Sequence, residues 1–171
     1  MPLPVFVSAP SSLSPQQNEV RDGIVALLAE QDFEARALGR SDYPADLPLR
    51  EVYALARHCA GGVILGFAQF EAAGGTWKQG TPGERREAGT VRFPSPWNHL
   101  ESGILYGLSL PLLAFREPGI SGGIFDPGTA DIFVHDMPVP PLAPATTTAL
   151  RQVFLKWGGR VREQYYRQVA P

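Results

Sequence analysis

Short apolar runs alternate with helical stretches along most of the chain, and this alternation restricts the available folds more than any other feature of the sequence. The most apolar run is GGVILGF at 61–67, which is typical of a strand buried on both faces. Four further runs, at 4–9, 33–38, 111–117 and 131–135, are predicted to be strands of the same sheet. Strands that alternate with helices in this way indicate a parallel sheet covered by helices.

Helical spacing of apolar residues follows the first, second, third and fifth of these strands. The predicted helices cover 15–31, 49–59, 97–108 and, at the end, about 147–168. With 171 residues the chain has the size of one ordinary domain with a sizeable core. We therefore expect a single α/β domain over 1–171, built on a flavodoxin-like, doubly wound and mostly parallel five-stranded sheet.

The composition argues against several classes of function. Hydrophobic residues make up 44% of the chain and charged residues 19%, which favours a folded chain over a disordered one. The net charge of −2, without any block of like charge, argues against nucleic acid or a membrane surface as a partner. Cys59 is the single cysteine, and the three histidines share no ligand spacing, so neither a disulfide nor a metal site is expected. No secretory signal or membrane span stands out, so we expect a soluble, cytoplasmic protein.

The segment from about 71 to 95 is the least regular part of the chain. It is rich in glycine and in charged residues, and it is predicted to be a long functional or mobile loop. Two other loops, at 8–15 and 118–128, follow the first and fourth strands. Ligands of open parallel sheets bind outside the carboxyl ends of the strands, where the strand order reverses. The site is therefore expected where these loops meet.

The stretch SPWNHLESGILYGLSLPLLAF, at 95–115, brings an acid to that position. Glu101 lies near the start of the helix that follows the third strand, so its carboxylate is expected to point into the crevice. A carboxylate beneath a sugar can attack the anomeric carbon or stabilise an oxocarbenium-like transition state. Trp97 and Phe67 offer aromatic faces for a base, and Asn98 can hydrogen-bond a hydroxyl or a base edge. Structural roles compete: an acid early in a helix suits its dipole, and Asn is favoured as a helix cap.

Further candidates for substrate binding follow the first three strands. Ser8 and Ser11 lie at the end of the first strand, Arg40 follows the second and is suited to a phosphate, and Gln69 follows the third. Ordinary roles compete here too, because Ser-Pro clusters form turns and a surface arginine is often simply solvated.

The Ser- and Pro-containing turn after the first strand, the strong third strand and the 95–115 stretch together resemble one superfamily. It joins the nucleoside 2-deoxyribosyltransferases with the TIR-type NAD-cleaving domains, and the resemblance covers roughly 5–115. In both branches a glutamate on this helix acts on the sugar or is required for cleavage, and LSLPLLAF is similar to the strand that follows. The resemblance implies that Glu101 is the catalytic carboxylate and that no cofactor is needed.

The chain also departs from the transferase branch. An acidic residue usually follows the third strand in those proteins, where this chain has Gln69 and then Glu71. An Asp usually precedes the nucleophile, where this chain has Pro94, Ser95 and Pro96. These differences argue against simple nucleoside transfer and favour a TIR-like or nucleotide-directed activity.

The function expected from these observations is hydrolysis of the N-glycosidic bond of a nucleotide, with NAD as the leading substrate. The resemblance alone implies a role in anti-phage defence. One alternative is a nucleoside or nucleotide 2-deoxyribosyltransferase or hydrolase with Glu101 as nucleophile; the other is a non-catalytic module for nucleotide sensing or assembly. The aromatic closing helix offers apolar surface, so a homodimer or larger homo-oligomer is a further expectation.

Overall fold

A computed structural model describes residues 1–38 and 47–169. The strands are β1 (Leu3–Ser8), β2 (Phe33–Arg36), β3 (Gly62–Gly66), β4 (Phe70–Ala72), β5 (Gly75–Trp77), β6 (Arg85–Glu87), β7 (Val91–Phe93), β8 (Leu112–Arg116) and β9 (Val134–Asp136). The helices are α1 (Pro15–Glu30), α2 (Pro48–Arg57), α3 (Pro96–Gly107) and α4 (Pro144–Val169), with a 3₁₀ turn at Gly123–Phe125.

Five of these strands form the central sheet, in the order β2-β1-β3-β8-β9. Every neighbouring pair is parallel, with Val7 beside Val63 and Val63 beside Leu113. Counted along the chain, this is the flavodoxin-like order 2-1-3-4-5, which reverses direction between β1 and β3. The predicted α/β fold with a five-stranded parallel sheet is therefore confirmed.

Two apolar layers sandwich the sheet. On one face, α1 and α4 pack against alternate strand residues, including Val5, Val63, Leu65 and Phe115. On the other face, α2, α3 and the 3₁₀ turn pack against the intervening set, including Phe6, Ile64, Leu112 and Ala114. Successive strand residues point to opposite faces, so each central strand is apolar throughout, as its sequence predicted.

The ends of several elements differ from their predicted positions. The fifth strand lies at Val134–Asp136, three residues later than predicted, and the closing helix begins at Pro144 rather than near Thr147. The connection from β8 to β9 contains the 3₁₀ turn and no α-helix. Gly122 and Gly123 have φ values of 96° and 56° there, a left-handed conformation that favours glycine and interrupts helical backbone.

The region predicted as an irregular loop contains four short strands. β4 pairs with β7 and β5 pairs with β6, both antiparallel, so the chain runs out and back as one interrupted hairpin. We call residues 70–93 the arm. The prediction of a loop was wrong because each strand is three residues long, which is too short for a recognisable period of two, and glycines separate the strands.

Candidate active site

A cleft of about 230 Å³ opens at the carboxyl end of the sheet, on the face covered by α2 and α3. We call it the Glu101 cleft. It lies at the reversal point between β1 and β3, where ligands of this class of sheet bind. Its lining comes from the loop after β1, the segment after β2, α2, the residue before β4, and α3; these residues are Ala9, Pro10, Ser11, Leu38, Pro48, Val52, Gln69, Ser95, Trp97 and Glu101.

The start of α3 fixes the position of Glu101. Ser95 caps the helix by accepting a hydrogen bond from the backbone N–H of Trp97 at 3.2 Å, and Pro96 suits the first helical position. Trp97 and Glu101 are four residues apart, so they lie one above the other on the same face of α3. The indole and the carboxylate therefore share the cleft, and Trp97 remains 43% exposed.

Two buried polar side chains lie behind Glu101. Ser8, at the end of β1, is 0% exposed, and Asn98, on α3, is 1% exposed. Asn98 Nδ2 donates to Ser8 Oγ at 2.8 Å and makes longer contacts of 3.4 Å with the carbonyl oxygens of Ser8 and Leu65. Because the Ser8 oxygen accepts from Asn98, the Ser8 hydroxyl hydrogen is free to donate to the carboxylate of Glu101.

Burial raises the pKa of Glu101 to about 7, while the hydrogen bond from Ser8 acts in the opposite direction. Withdrawal from water disfavours the charged form, and a donor to the carboxylate partly restores it. Near neutral pH the side chain is therefore present in both protonation states. That is the pKa range in which a carboxylate can act as a nucleophile and also exchange protons.

Of the residues predicted to form the site, Glu101, Trp97, Ser11 and Gln69 line the cleft together. Gln69 is held there because its backbone N–H donates to the carbonyl of Phe93 at 2.9 Å. Direct contact with substrate was predicted for Ser8 and Asn98, but neither lines the cleft; both lie beneath Glu101.

The prediction that Phe67 contacts a base was wrong, and the prediction that Arg40 binds a phosphate stays a prediction. Phe67 is 0% exposed and belongs to the core on the α1 and α4 face, so its ring offers no surface to a base. Arg40 lies outside the described residues.

Several residues of the cleft had not been predicted. Ser95 could have been identified from its place before Pro96 at the start of α3, since serine followed by proline is a typical helix beginning. Leu38, Val52 and the backbone after β1 carry no chemical signal in the sequence, because they contribute shape alone.

A second, larger cavity of about 370 Å³ lies at the same end of the sheet, beside α1 and the segment after β8. Its carboxylate, Glu117, accepts hydrogen bonds from the backbone N–H of Ala68 at 2.6 Å and from Gln17 Nε2 at 3.1 Å to each oxygen. Arg92 and Glu71, which also line this cavity, pair with each other at 2.8 Å. We call it the Glu117 cavity; its charged groups already have protein partners.

Neither a metal centre nor a membrane span is found in the described part of the chain. Across residues 1–38 and 47–169, no three His, Cys, Asp or Glu side chains are grouped closely enough to hold a metal ion. Among the helices of the same residues, none combines the length and the apolar character needed to cross a bilayer.

Comparisons with known proteins give one informative result. No family model matches the sequence, and no curated protein matches it. A solved structure with a similar fold is the CMP N-glycosidase BcmB of Clostridium botulinum, with a TM-score of 0.52 at 12% sequence identity. The similarity covers 90% of this chain and 98% of that chain, and at this identity it shows a shared fold.

Proposed function

We propose that the protein cleaves the N-glycosidic bond of a nucleotide, with Glu101 as the carboxylate that meets the anomeric carbon. The observation that carries the proposal is the position of Glu101, half-buried in a cleft beside an exposed indole at the reversal point of the sheet. The fold shared with an N-glycosidase that acts on CMP supports the same class of reaction.

The reaction follows from the chemistry of a carboxylate beneath a ribose. The ionised Glu101 attacks C1′, the C1′–N bond breaks, and its electron pair leaves with the base. Water then hydrolyses the glycosyl ester, which regenerates the carboxylate, forms the free sugar hydroxyl and releases one proton to solvent. Trp97 stacks on the base or the sugar during this sequence.

Within this class we propose a nicotinamide nucleotide, NAD in the first place, as the substrate. In NAD the nicotinamide ring carries a positive charge while it is bonded to the ribose, and it departs as a neutral molecule. Its departure therefore needs no proton donor. Among the described residues that line the cleft, Glu101 is the only titratable side chain. A cleft in which the nucleophile has no separate acid beside it is better matched to nicotinamide than to a neutral base such as cytosine.

The test is an incubation of the purified protein with a nucleotide panel that contains NAD, nicotinamide mononucleotide, CMP and deoxynucleosides, read by mass spectrometry. We expect release of nicotinamide by the wild type and none by Glu101→Gln, which keeps the size of the side chain. Intact NAD at all protein concentrations would contradict the NAD proposal. Release of cytosine, or exchange of one base for another on a deoxyribose, would reassign the substrate to CMP or the reaction to transfer.

On the resemblance to TIR-type domains alone, we extend the proposal to anti-phage defence. Cells that express the wild type are expected to lose NAD and limit phage growth during infection, and cells that express Glu101→Gln are not. Equal phage yields in the two strains would show that the enzyme activity does not protect against phage.

A further inference from the structure

The arm has two different faces, and its polar face is joined to the segment after β8. Alternation along β4 and β7 puts Glu71 and Arg92 on one face and Phe70 and Phe93 on the other. Arg92 anchors the polar face, because it donates to Glu71 at 2.8 Å and to the carbonyl of Pro118 at 3.3 Å. The opposite face carries the aromatic rings.

These rings form a continuous surface that is open to solvent. Phe93 lies between Phe70 and Trp77, with centroid distances of 6.3 Å and 5.8 Å, and Phe70 and Trp77 are 61% and 39% exposed. The guanidinium of Arg85 lies 6.0 Å from the centre of the Trp77 ring. The rings are thus held in place by one another before any ligand arrives, and clustered exposed apolar surface of this kind often marks a binding site.

A shallow pocket of about 170 Å³ lies on this face, between Trp77 and Phe93. Its floor is made of small residues: Ala72, Gly74, Gly75 and Val91. A side chain on Gly75 would meet nothing within 4 Å, so the space above the floor is open. The volume is well below the roughly 300 Å³ of a site that encloses a whole drug-sized ligand. It is the size expected for one planar ring system against an aromatic wall.

The pocket is close to the Glu101 cleft along the backbone. Phe70 directly follows Gln69, which lines the cleft, and Phe93 is two residues from Ser95, which also lines it. Two extended residues span about 7 Å. A dinucleotide, with two nucleosides joined by a diphosphate, is long enough to bridge a gap of this order, and a mononucleotide held at Glu101 has no second base to place in the pocket.

We propose that the aromatic face of the arm, at Trp77 and Phe93, is the subsite for the second base of a dinucleotide whose scissile ribose lies at Glu101. The proposal rests on the proposed function and deepens it. Stacking on an aromatic ring accepts any base. Arg85, beside Trp77, forms an exposed ion pair with Glu87 at 3.5 Å, and such a pair is weak enough for its guanidinium to turn to a diphosphate.

The experiment compares NAD with nicotinamide mononucleotide, which carries the same scissile bond without the second base. We expect Trp77→Ala to raise KM for NAD about tenfold, the loss of one base–aromatic stack, with kcat unchanged. Its kcat/KM for the mononucleotide is expected to remain within about twofold of wild type. Trp77→Phe should have a KM for NAD close to that of wild type. Phe133→Ala removes an exposed aromatic ring outside the arm and should leave kcat/KM for both substrates unchanged. Equal effects of Trp77→Ala on the two substrates, or none on either, would overturn the proposal.

Binding separates this inference from the proposed function. Calorimetry compares Glu101→Gln with the double variant that also carries Trp77→Ala. We expect the double variant to bind NAD and ADP-ribose more weakly and to bind nicotinamide mononucleotide with unchanged affinity. If the wild type hydrolyses neither nicotinamide compound but this selective loss persists, the proposed function fails and the subsite stands. If NAD and ADP-ribose bind Trp77→Ala as tightly as its parent, or do not bind at all, the subsite fails whatever the activity.

Discussion

The Glu101 cleft and the Glu117 cavity each place one glutamate at the carboxyl end of the sheet, yet the two carboxylates are partnered in opposite ways. Glu117 accepts from the backbone N–H of Ala68 and, with both of its oxygens, from Gln17 Nε2, and so ties α1 and the end of β3 to the end of β8. Glu101 is withdrawn from water, and burial outweighs the hydrogen bond from Ser8 in setting its pKa.

The difference shows that cavity volume alone does not identify a site. The larger cavity contains a carboxylate that accepts hydrogen bonds from Ala68 and Gln17, which is a structural arrangement. The smaller cleft contains a carboxylate whose ionised form is destabilised by its surroundings, which is the arrangement found at reactive groups. Four predictions test this contrast.

The largest expected effect is on activity. Glu101→Gln should reduce kcat by at least about a thousandfold, because the amide can neither attack the sugar nor carry the negative charge. Glu117→Gln should retain activity within about tenfold of wild type, since both oxygens of Glu117 already accept hydrogen bonds from Gln17 or Ala68. Both are measured as base release on the best substrate of the panel. Similar losses in the two variants would remove the distinction between the two regions.

The next effect is on stability and its pH dependence. Glu101 has a folded-state pKa of about 7 against an ordinary value of 4.5, so between these pH values the folded protein binds more protons than the unfolded chain. Its contribution to stability therefore falls as pH rises from about 4.5 to about 7. The cost above pH 7 is about 3 kcal/mol, and Glu101→Gln removes it.

Urea denaturation at pH 8 should accordingly show Glu101→Gln to be more stable than wild type, and the two should converge at pH 4. Glu34→Gln, at an exposed position on β2, is the control and should leave stability nearly unchanged at both pH values. A Glu101→Gln variant that is less stable than wild type at pH 8 would mean that the buried carboxylate is satisfied after all.

A smaller loss of stability is expected at the other carboxylate. Glu117→Gln replaces an acceptor of three hydrogen bonds by an amide whose NH₂ group meets donors, and should cost about 2 kcal/mol in the free energy of unfolding at pH 7. The control is Glu71→Gln, which breaks an exposed pair with Arg92 and should cost no more than about 0.5 kcal/mol. Equal denaturation midpoints for both variants would argue against a structural role for Glu117.

The smallest effect concerns the hydrogen bond to Glu101. Ser8→Ala removes the donor that lowers the pKa of Glu101, so the rise of kcat/KM with pH should move to higher pH. Ser102→Ala is the matched control. Ser102 is a buried serine like Ser8, but it lies on α3 and donates to the carbonyl of His99 in its own helix. A pH–rate profile that is unchanged in Ser8→Ala would remove Ser8 from the positioning of Glu101.

The errors in reading the sequence have specific physical causes. Phe67 follows a strand that is apolar throughout, so the sequence could not show which face each residue occupies; in the structure Val63, Leu65 and Phe67 all face α1 and α4. Ser8 and Asn98 were predicted to contact substrate, but both are buried, and their burial depends on how closely α3 packs against β1. The strands of the arm are too short to produce a detectable period.

The sequence by itself determined how strands and helices of the central sheet follow one another along the chain. It also determined that an acid lies near the beginning of α3. These are local properties, since periodicity, proline and serine act within a few residues along the chain. Tertiary structure alone decided that Asn98 meets Ser8 across 90 positions, that Glu101 is shielded from water, and that the arm carries its rings on the face opposite Glu71 and Arg92. Such contacts depend on strand register and on the packing of helices against the sheet, and both are fixed only when distant parts of the chain come together.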